Sequence, residues 1–242
     1  MHVSTRFAFL PVFLAFALVA SDCPAQQLPD SPAPAARQEN PLGPREPESG
    51  APLTLKERLK LQTQLSFSVI SFLDPAFEAG ITMADPPSAY PREWSRGGAA
   101  FGRNYGSEFG SQTTNGYTHF AAAALLREDP RYFRYDGAGL SRRVAHAILF
   151  TVADRADSGH RTFAASNFAG SAAGGFVGMA WEPDGFNDVT HAYQRSAVAL
   201  GGYGVRNVLT EFTPELTRLL VKWHMGRFQS LMPNPPVDKP LP

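Results

Sequence analysis

Glycine recurs every fourth residue in GGAAFGRNYGSEFG, at Gly98, Gly102, Gly106 and Gly110, and no other feature restricts the fold as strongly. Four residues advance an α-helix by about 400°, so these positions form one slowly drifting row along a helix. Each glycine costs a helix about 1 kcal/mol relative to alanine, and the row therefore costs on the order of 4 kcal/mol. Close approach of a second backbone offsets that cost, because no Cβ holds it away. The row continues as Thr114, Thr118 and Ala122. It is repeated at Ser166, Gly170, Gly174 and Gly178, and in shorter form at Ala197 and Gly201. The two longer rows, Gly98 to Gly110 and Ser166 to Gly178, are the candidate helix-packing residues. Their drift favours a right-handed crossing.

Three helices with thin faces predict an all-α fold, a compact bundle of about five to six helices. The helical pattern LTLKERLKLQTQLSFSVISFL places Leu55, Leu59, Gln62, Ser66 and Ile70 in one row beside Leu61, Leu65 and Val69, with Lys56, Glu57, Arg58 and Lys60 elsewhere. Pro75 then starts a short segment, which the DPPSAYP turn ends. Further helices are expected from Gly98 to Arg127, Leu140 to Ala153, Thr162 to Trp181 and Asp188 to Phe212. Thr213, before Pro214 and Glu215, reads as the cap of the last one. No run of alternating residues bounded by hairpin turns stands out, so strands are at most minor.

The ends of the chain differ from this middle. One cation, Arg6, precedes an apolar run of about 14 residues from Phe7 to Ala20, followed by small residues up to Ala25. That is the layout of a secretory signal, and the run is shorter than the roughly 20 residues that span a bilayer. Cleavage after Ala25 would remove Cys23, the only cysteine, and with it any disulfide or thiolate metal site. Residues 26–52 carry seven prolines and no aromatic residue and read as a disordered linker. The domain proper is expected over 53–232, and PNPPVDKPLP over 233–242 as a proline-rich tail.

Net charge is zero and charged residues are 18% of the chain, which offers nothing to nucleic acid. Small-residue packing is most at home in membranes. The charge-free stretch TFAASNFAGSAAGGFVGMAW ends in the interface-loving Trp181, yet it also contains Ser166, Asn167 and Ser171. A soluble or peripheral bundle, a bundle inserted in the envelope, and a non-helical glycine-rich segment all fit this composition. The expected partners are an envelope membrane or a second copy, met through the glycine-striped helices.

Catalytic signals are weak. Ser158-Gly159-His160 is similar to the Ser-Gly-His of type-2 phosphatidic acid phosphatases, but Asp157 stands where proline is expected, and the companion lysine-arginine and arginine-histidine motifs are missing. Ser158 as the cap of a helix-start turn is the plainer reading. Asp154, Asp157 and His160 have the donor types for a metal, but a polar turn collects the same residues. None of His119, His146, His160, His191 and His224 has a partner at ligand spacing, and no cofactor or metal is expected.

The connector LREDPRYFRYDGAGLSRR gathers Arg127, Arg131, Arg134, Arg142 and Arg143 with Tyr132, Phe133 and Tyr135. Arg131, Tyr132, Arg134 and Arg142 are candidates for holding an anion or a lipid headgroup. The structural alternative has Asp129 and Glu128 pairing the arginines while the rings cover a helix end.

Taken in order, YGSEFGSQ, LLREDPRYFRYDGAG, FTVADRADSGHRTFAASNFAGSAAGG and GGYGVRNVLTEFTPEL resemble a group of uncharacterised exported proteins of acidobacteria. The resemblance covers residues 94 to 222. It departs at Arg127, at Ala156 and in TEFTPEL, where the group tends to have lysine and tryptophan. It implies export and a shared helical fold, and no particular chemistry.

Overall fold

Eight α-helices and one two-stranded hairpin make up the described part of the chain. A computed structural model describes residues 52–135 and 137–223. The signal-like segment, the linker up to residue 51 and the proline-rich tail lie outside the described residues. The all-α reading holds, with more helices than the five to six expected.

The first predicted helix is two. α1 spans Leu55–Ser66 and α2 spans Val69–Ala84. Thr54 and Glu57 form a capping box at the start of α1, and Ser68 breaks the pattern by accepting the Ser71 N–H as the cap of α2. Pro75 sits inside α2, fully buried, instead of starting a new segment. The expected inward row is also corrected. Of that row Gln62 and Ser66 are buried, but Leu55, Leu59 and Ile70 are exposed, as is Val69 beside it, while Arg58, expected elsewhere, is buried.

After the short α3 at Arg92–Ser95, α4 runs from Gly98 to Leu126 and forms the centre of the bundle. It ends at Arg127 in the left-handed region (φ 56°), which lets the Glu128 N–H reach back to the Ala123 carbonyl. α5 covers Leu140–Leu149, shorter than the expected helix to Ala153, because residues 153–155 become β1. β1 (Ala153–Arg155) pairs antiparallel with β2 (Arg161–Phe163), Asp154 opposite Thr162. Ser158 is therefore in a hairpin turn, not a helix cap. Gly159 supplies the positive φ of 84° that the turn needs.

α6 spans Ala165–Val177 and continues as a 3₁₀ turn to Ala180; it begins later than Thr162 because that residue belongs to β2. α7 spans Val189–Glu211, capped by Asp188, and α8 spans Thr213–Lys222. Thr213 is the first residue of α8 and not its cap; its hydroxyl donates to the Leu209 carbonyl at 2.9 Å.

α6 lies between α4 and α7, while α1, α2 and α3 pack on α4, and α5 packs on α7. The interior is unusual. Among the described residues only Leu53, Phe133 and Phe150 are large buried hydrophobic side chains, and the other buried apolar side chains are alanines and the prolines Pro75 and Pro183. Seventeen buried residues are polar or charged, and 25 large apolar side chains are exposed. A globular core normally has the reverse order.

Candidate functional site

The glycine rows have different surroundings. A Cβ built on Gly170 would lie 2.8 Å from the Asn115 carbonyl oxygen, and one on Gly174 would lie 2.9 Å from the Ser111 carbonyl oxygen. One on Gly178 would meet the Ser111 hydroxyl at 3.1 Å. Ser166 is fully buried. The other side of α6 meets α7 through Gly175, where a Cβ would be 2.6 Å from the Ala192 carbonyl oxygen. On α4, Gly110 faces Trp181, whereas a Cβ on Gly98, Gly102 or Gly106 meets no described atom within 4 Å. The α4 residues that α6 does meet, Ser111, Asn115 and His119, form a row of the same spacing one position further along than Gly110, Thr114 and Thr118.

The connector holds two buried carboxylate centres. In the first, Asp129 is fully buried and receives Arg131 Nε at 2.9 Å and Nη2 at 2.6 Å, a bidentate pair. Arg131 and Arg155 both lie over the buried Phe133 ring, at 5.8 and 4.9 Å. Glu128 does not pair with an arginine side chain. Its carboxylate accepts the Ala165 and Ser166 N–H groups at 3.1 and 3.0 Å and so caps α6, where a negative charge suits the helix dipole. Arg58, 4% exposed, donates to the Asp157 carboxylate and to the carbonyls of Leu53, Ala123 and Glu128. Asp154 completes this centre. Burial pushes its carboxyl up to about 8, against the Arg155 N–H that stabilises the anion and with the Glu128 and Asp129 charges adding to the rise.

Glu211 is the hub of the second centre. It is fully buried and accepts Arg143 Nε at 2.7 Å, Tyr132 Oη at 3.0 Å and the Tyr135 N–H at 3.2 Å. Arg134 sits 3.8 Å from it and bonds Glu215 at 3.1 Å, which Arg143 also reaches at 2.7 Å. Two guanidinium groups thus face two carboxylates. Burial, the largest single influence, raises the Glu215 pKa, but the Arg143 hydrogen bond, its own backbone N–H and the charges of Arg143 and Arg134 together outweigh it, and the carboxyl titrates below its ordinary value. Burial, then the Glu211 charge, raises the Tyr132 phenol. Tyr132 Oη also lies 3.1 Å from His146 Nδ1.

Of the four anion-binding candidates, Arg131, Tyr132 and Arg134 are thus bound to carboxylates of the chain itself, and Arg142 is exposed. Ser158 and His160 are exposed at the hairpin turn, and no described hydrogen bond joins their side chains to either centre. Among the described residues, no group of three or more His, Cys, Asp or Glu side chains could hold a metal ion. Arg58, Glu211 and Glu215 are the residues that sequence reasoning missed. Glu211 and Glu215 offered a signal, since two like charges at i, i+4 repel unless cations sit between them.

The chain matches no family model, no curated protein and no solved structure.

Proposed function

We propose that the chain is an exported helical bundle of the cell envelope that works by packing and binding at a lipid membrane, with no catalytic role for its buried charges. The observation that carries this reading is the inverted distribution of residues, 25 large apolar side chains outward and alanine, glycine and paired charges inward. Water disfavours such an exterior, and an apolar medium favours it. The helix ends support the same reading, because backbone groups in contact with lipid must be satisfied within the protein. Arg58 serves carbonyls at the end of α4, Arg195 serves the Gly175 carbonyl at the end of α6, and Arg143 serves the Glu211 carbonyl at the end of α7. Export rests on the signal-like N-terminus. The proposed contact is with the interfacial layer of the membrane; among the described residues no helix is long and apolar enough to cross it.

A phosphatase-like reading needs Ser158, His160 and free arginines around one phosphate. With Arg131 and Arg134 held by Asp129, Glu211 and Glu215, no observation favours it.

Flotation tests the proposal. Mature protein, its cleavage checked by intact mass, is mixed with vesicles of phosphatidylethanolamine and phosphatidylglycerol and spun through a sucrose gradient. It is expected to rise with the vesicles and to stay with them through an alkaline carbonate wash. A monodisperse protein that stays at the bottom of the gradient would overturn the proposal in favour of a periplasmic interaction domain.

A further inference from the structure

α8 is anchored at its start and bare at its end. Thr213 is buried, and Glu215 is held by Arg134 at 3.1 Å and by Arg143 at 2.7 Å, while the helix packs on α7. From Arg218 onward only Leu220 stays half-buried; Arg218, Leu219, Val221, Lys222 and Trp223 are exposed. Trp223 is 64% exposed, whereas Trp94 and Trp181, the other two tryptophans, are half-buried.

The exposed half is patterned. Leu216, Leu219, Leu220 and Trp223 follow at i, i+3, i+4 and i+7, the spacing of one helix face, and Arg218 and Lys222, four apart, form a row beside it. The charge of Glu215 is met by two guanidinium groups, and residues 216–223 carry two cations and no acid. Cations beside an apolar arc that ends in tryptophan suit the interface of an anionic bilayer, where the indole sits at headgroup level and the leucines reach the acyl boundary.

Two other helices with exposed apolar side chains lack this combination. α2 exposes Val69, Ile70, Phe72, Leu73 and Phe77, but its only charges are Asp74 and Glu78, which an anionic surface repels. α1 sets Lys56 and Lys60 near the exposed Leu55 and Leu59, yet it has no aromatic residue, includes Glu57, and is packed on α4 through Gln62 and Ser66.

We propose that α8 docks the protein on an anionic bilayer, Leu219 and Trp223 entering the interfacial layer while Arg218 and Lys222 meet the lipid phosphodiesters. The inference rests on the membrane reading above and adds to it the docking element and the charge of the lipid.

Flotation of the mature chain tests it with two kinds of vesicle, phosphatidylcholine alone and phosphatidylcholine mixed with phosphatidylglycerol. The unmodified chain should bind the mixed vesicles at least about tenfold more strongly, and added salt should weaken that binding. Each cation near such a surface is worth about fivefold, so the double variant Arg218→Gln, Lys222→Gln should lose about thirtyfold. Its melting curve by circular dichroism should stay unchanged, because both positions are exposed. Vesicles with brominated acyl chains should quench the tryptophan fluorescence of the unmodified chain and quench Trp223→Phe much less. Equal binding to both kinds of vesicle, undiminished binding by the folded double variant, or quenching that Trp223→Phe leaves unchanged would each overturn the proposal and leave the membrane reading standing. A chain that floats with neither kind overturns both, and if it sediments as a dimer that Trp223→Ser splits, the face belongs to a second copy. The two vesicle compositions are compared on the unmodified chain, so that result decides even if a variant fails to fold.

Discussion

Gly174→Ala and Gly106→Ala make the same chemical change in two surroundings that differ in one respect. In each, a methyl group replaces a hydrogen within a long helix, and each gains about 1 kcal/mol of helix propensity. At Gly106 the new Cβ meets no described atom within 4 Å, so that gain is expected undiminished. At Gly174 the Cβ would lie 2.9 Å from the Ser111 carbonyl oxygen and 3.0 Å from the Asn115 Cβ, and both belong to a packed helix. Overpacking of this kind costs about 1–3 kcal/mol, which cancels or exceeds the propensity gain. The two variants should thus differ in stability by about 1–3 kcal/mol, or on the order of 2–12 °C in Tm for a domain of this size. Thermal melts by circular dichroism, under one buffer or one detergent for both, measure the difference. Gly175→Ala extends the series, since its Cβ would sit 2.6 Å from the Ala192 carbonyl oxygen and should cost more than Gly174→Ala. The reasoning fails if Gly106→Ala loses as much stability as Gly174→Ala, for a close partner would then lie against the first half of α4. It fails equally if Gly174→Ala gains as much as Gly106→Ala.

Glu211→Gln removes the charge that Arg143 and Arg134 face, and breaking a buried pair of this kind costs about 3–5 kcal/mol; the midpoint of chemical denaturation should fall accordingly, and an unchanged midpoint would refute the hub. Asp154 makes stability depend on pH. Its folded-state pKa of about 8 lies above the ordinary aspartate value of 3.8, so the folded form keeps a proton that the unfolded chain has lost. This contribution is complete below pH 4 and is lost as pH rises towards 8. Melts at pH 5 and 8.5 should therefore show lower stability at the higher pH, and Asp154→Asn should flatten that difference.

The row of Gly170, Gly174 and Gly178 was legible in the sequence because its cost in helix propensity demands a close neighbour, and α4 is that neighbour. The equal spacing of Gly98, Gly102 and Gly106 gave no hint that these positions are open, since the spacing fixes a row on one helix but not which helix faces it. Arg58 was misplaced for a related reason. Periodicity assigns leucines inward and cations outward, but the surface that α1 meets presents the carbonyls of Ala123 and Glu128 and the carboxylate of Asp157, which a leucine cannot satisfy. Ser158 was read as a cap because the three-residue strands on either side of it are too short to show alternation. Long helices and their breaks depend on local sequence, whereas the buried charges depend on pairings such as Arg58 with Asp157 and Arg143 with Glu211 that local sequence does not contain.

The glycine rows and the buried arginines address one physical problem. Helices that approach on glycine bring their backbones together and leave little room for the apolar side chains that would normally cover a helix end. The carbonyls of the last turns then lie inside the bundle, where each unpaired group costs about 1–3 kcal/mol. Arginine suits these positions, with several donors on a planar group and a positive charge that the C-terminal end of a helix dipole favours. Arg195 illustrates this, donating through Nε at 3.3 Å and Nη2 at 3.2 Å to the Gly175 carbonyl while Nη1 reaches Phe186 at 3.0 Å. Glu128 does the converse at the start of α6, and Asp188 at the start of α7. Where a carboxylate is in reach it neutralises the guanidinium brought in this way, as Asp157 does Arg58, Asp129 does Arg131 and Glu211 does Arg143, whereas Arg195 hydrogen-bonds to carbonyls. With thin helix faces and charges filling the interior, the large apolar side chains have no buried positions left and lie on the outside of the bundle.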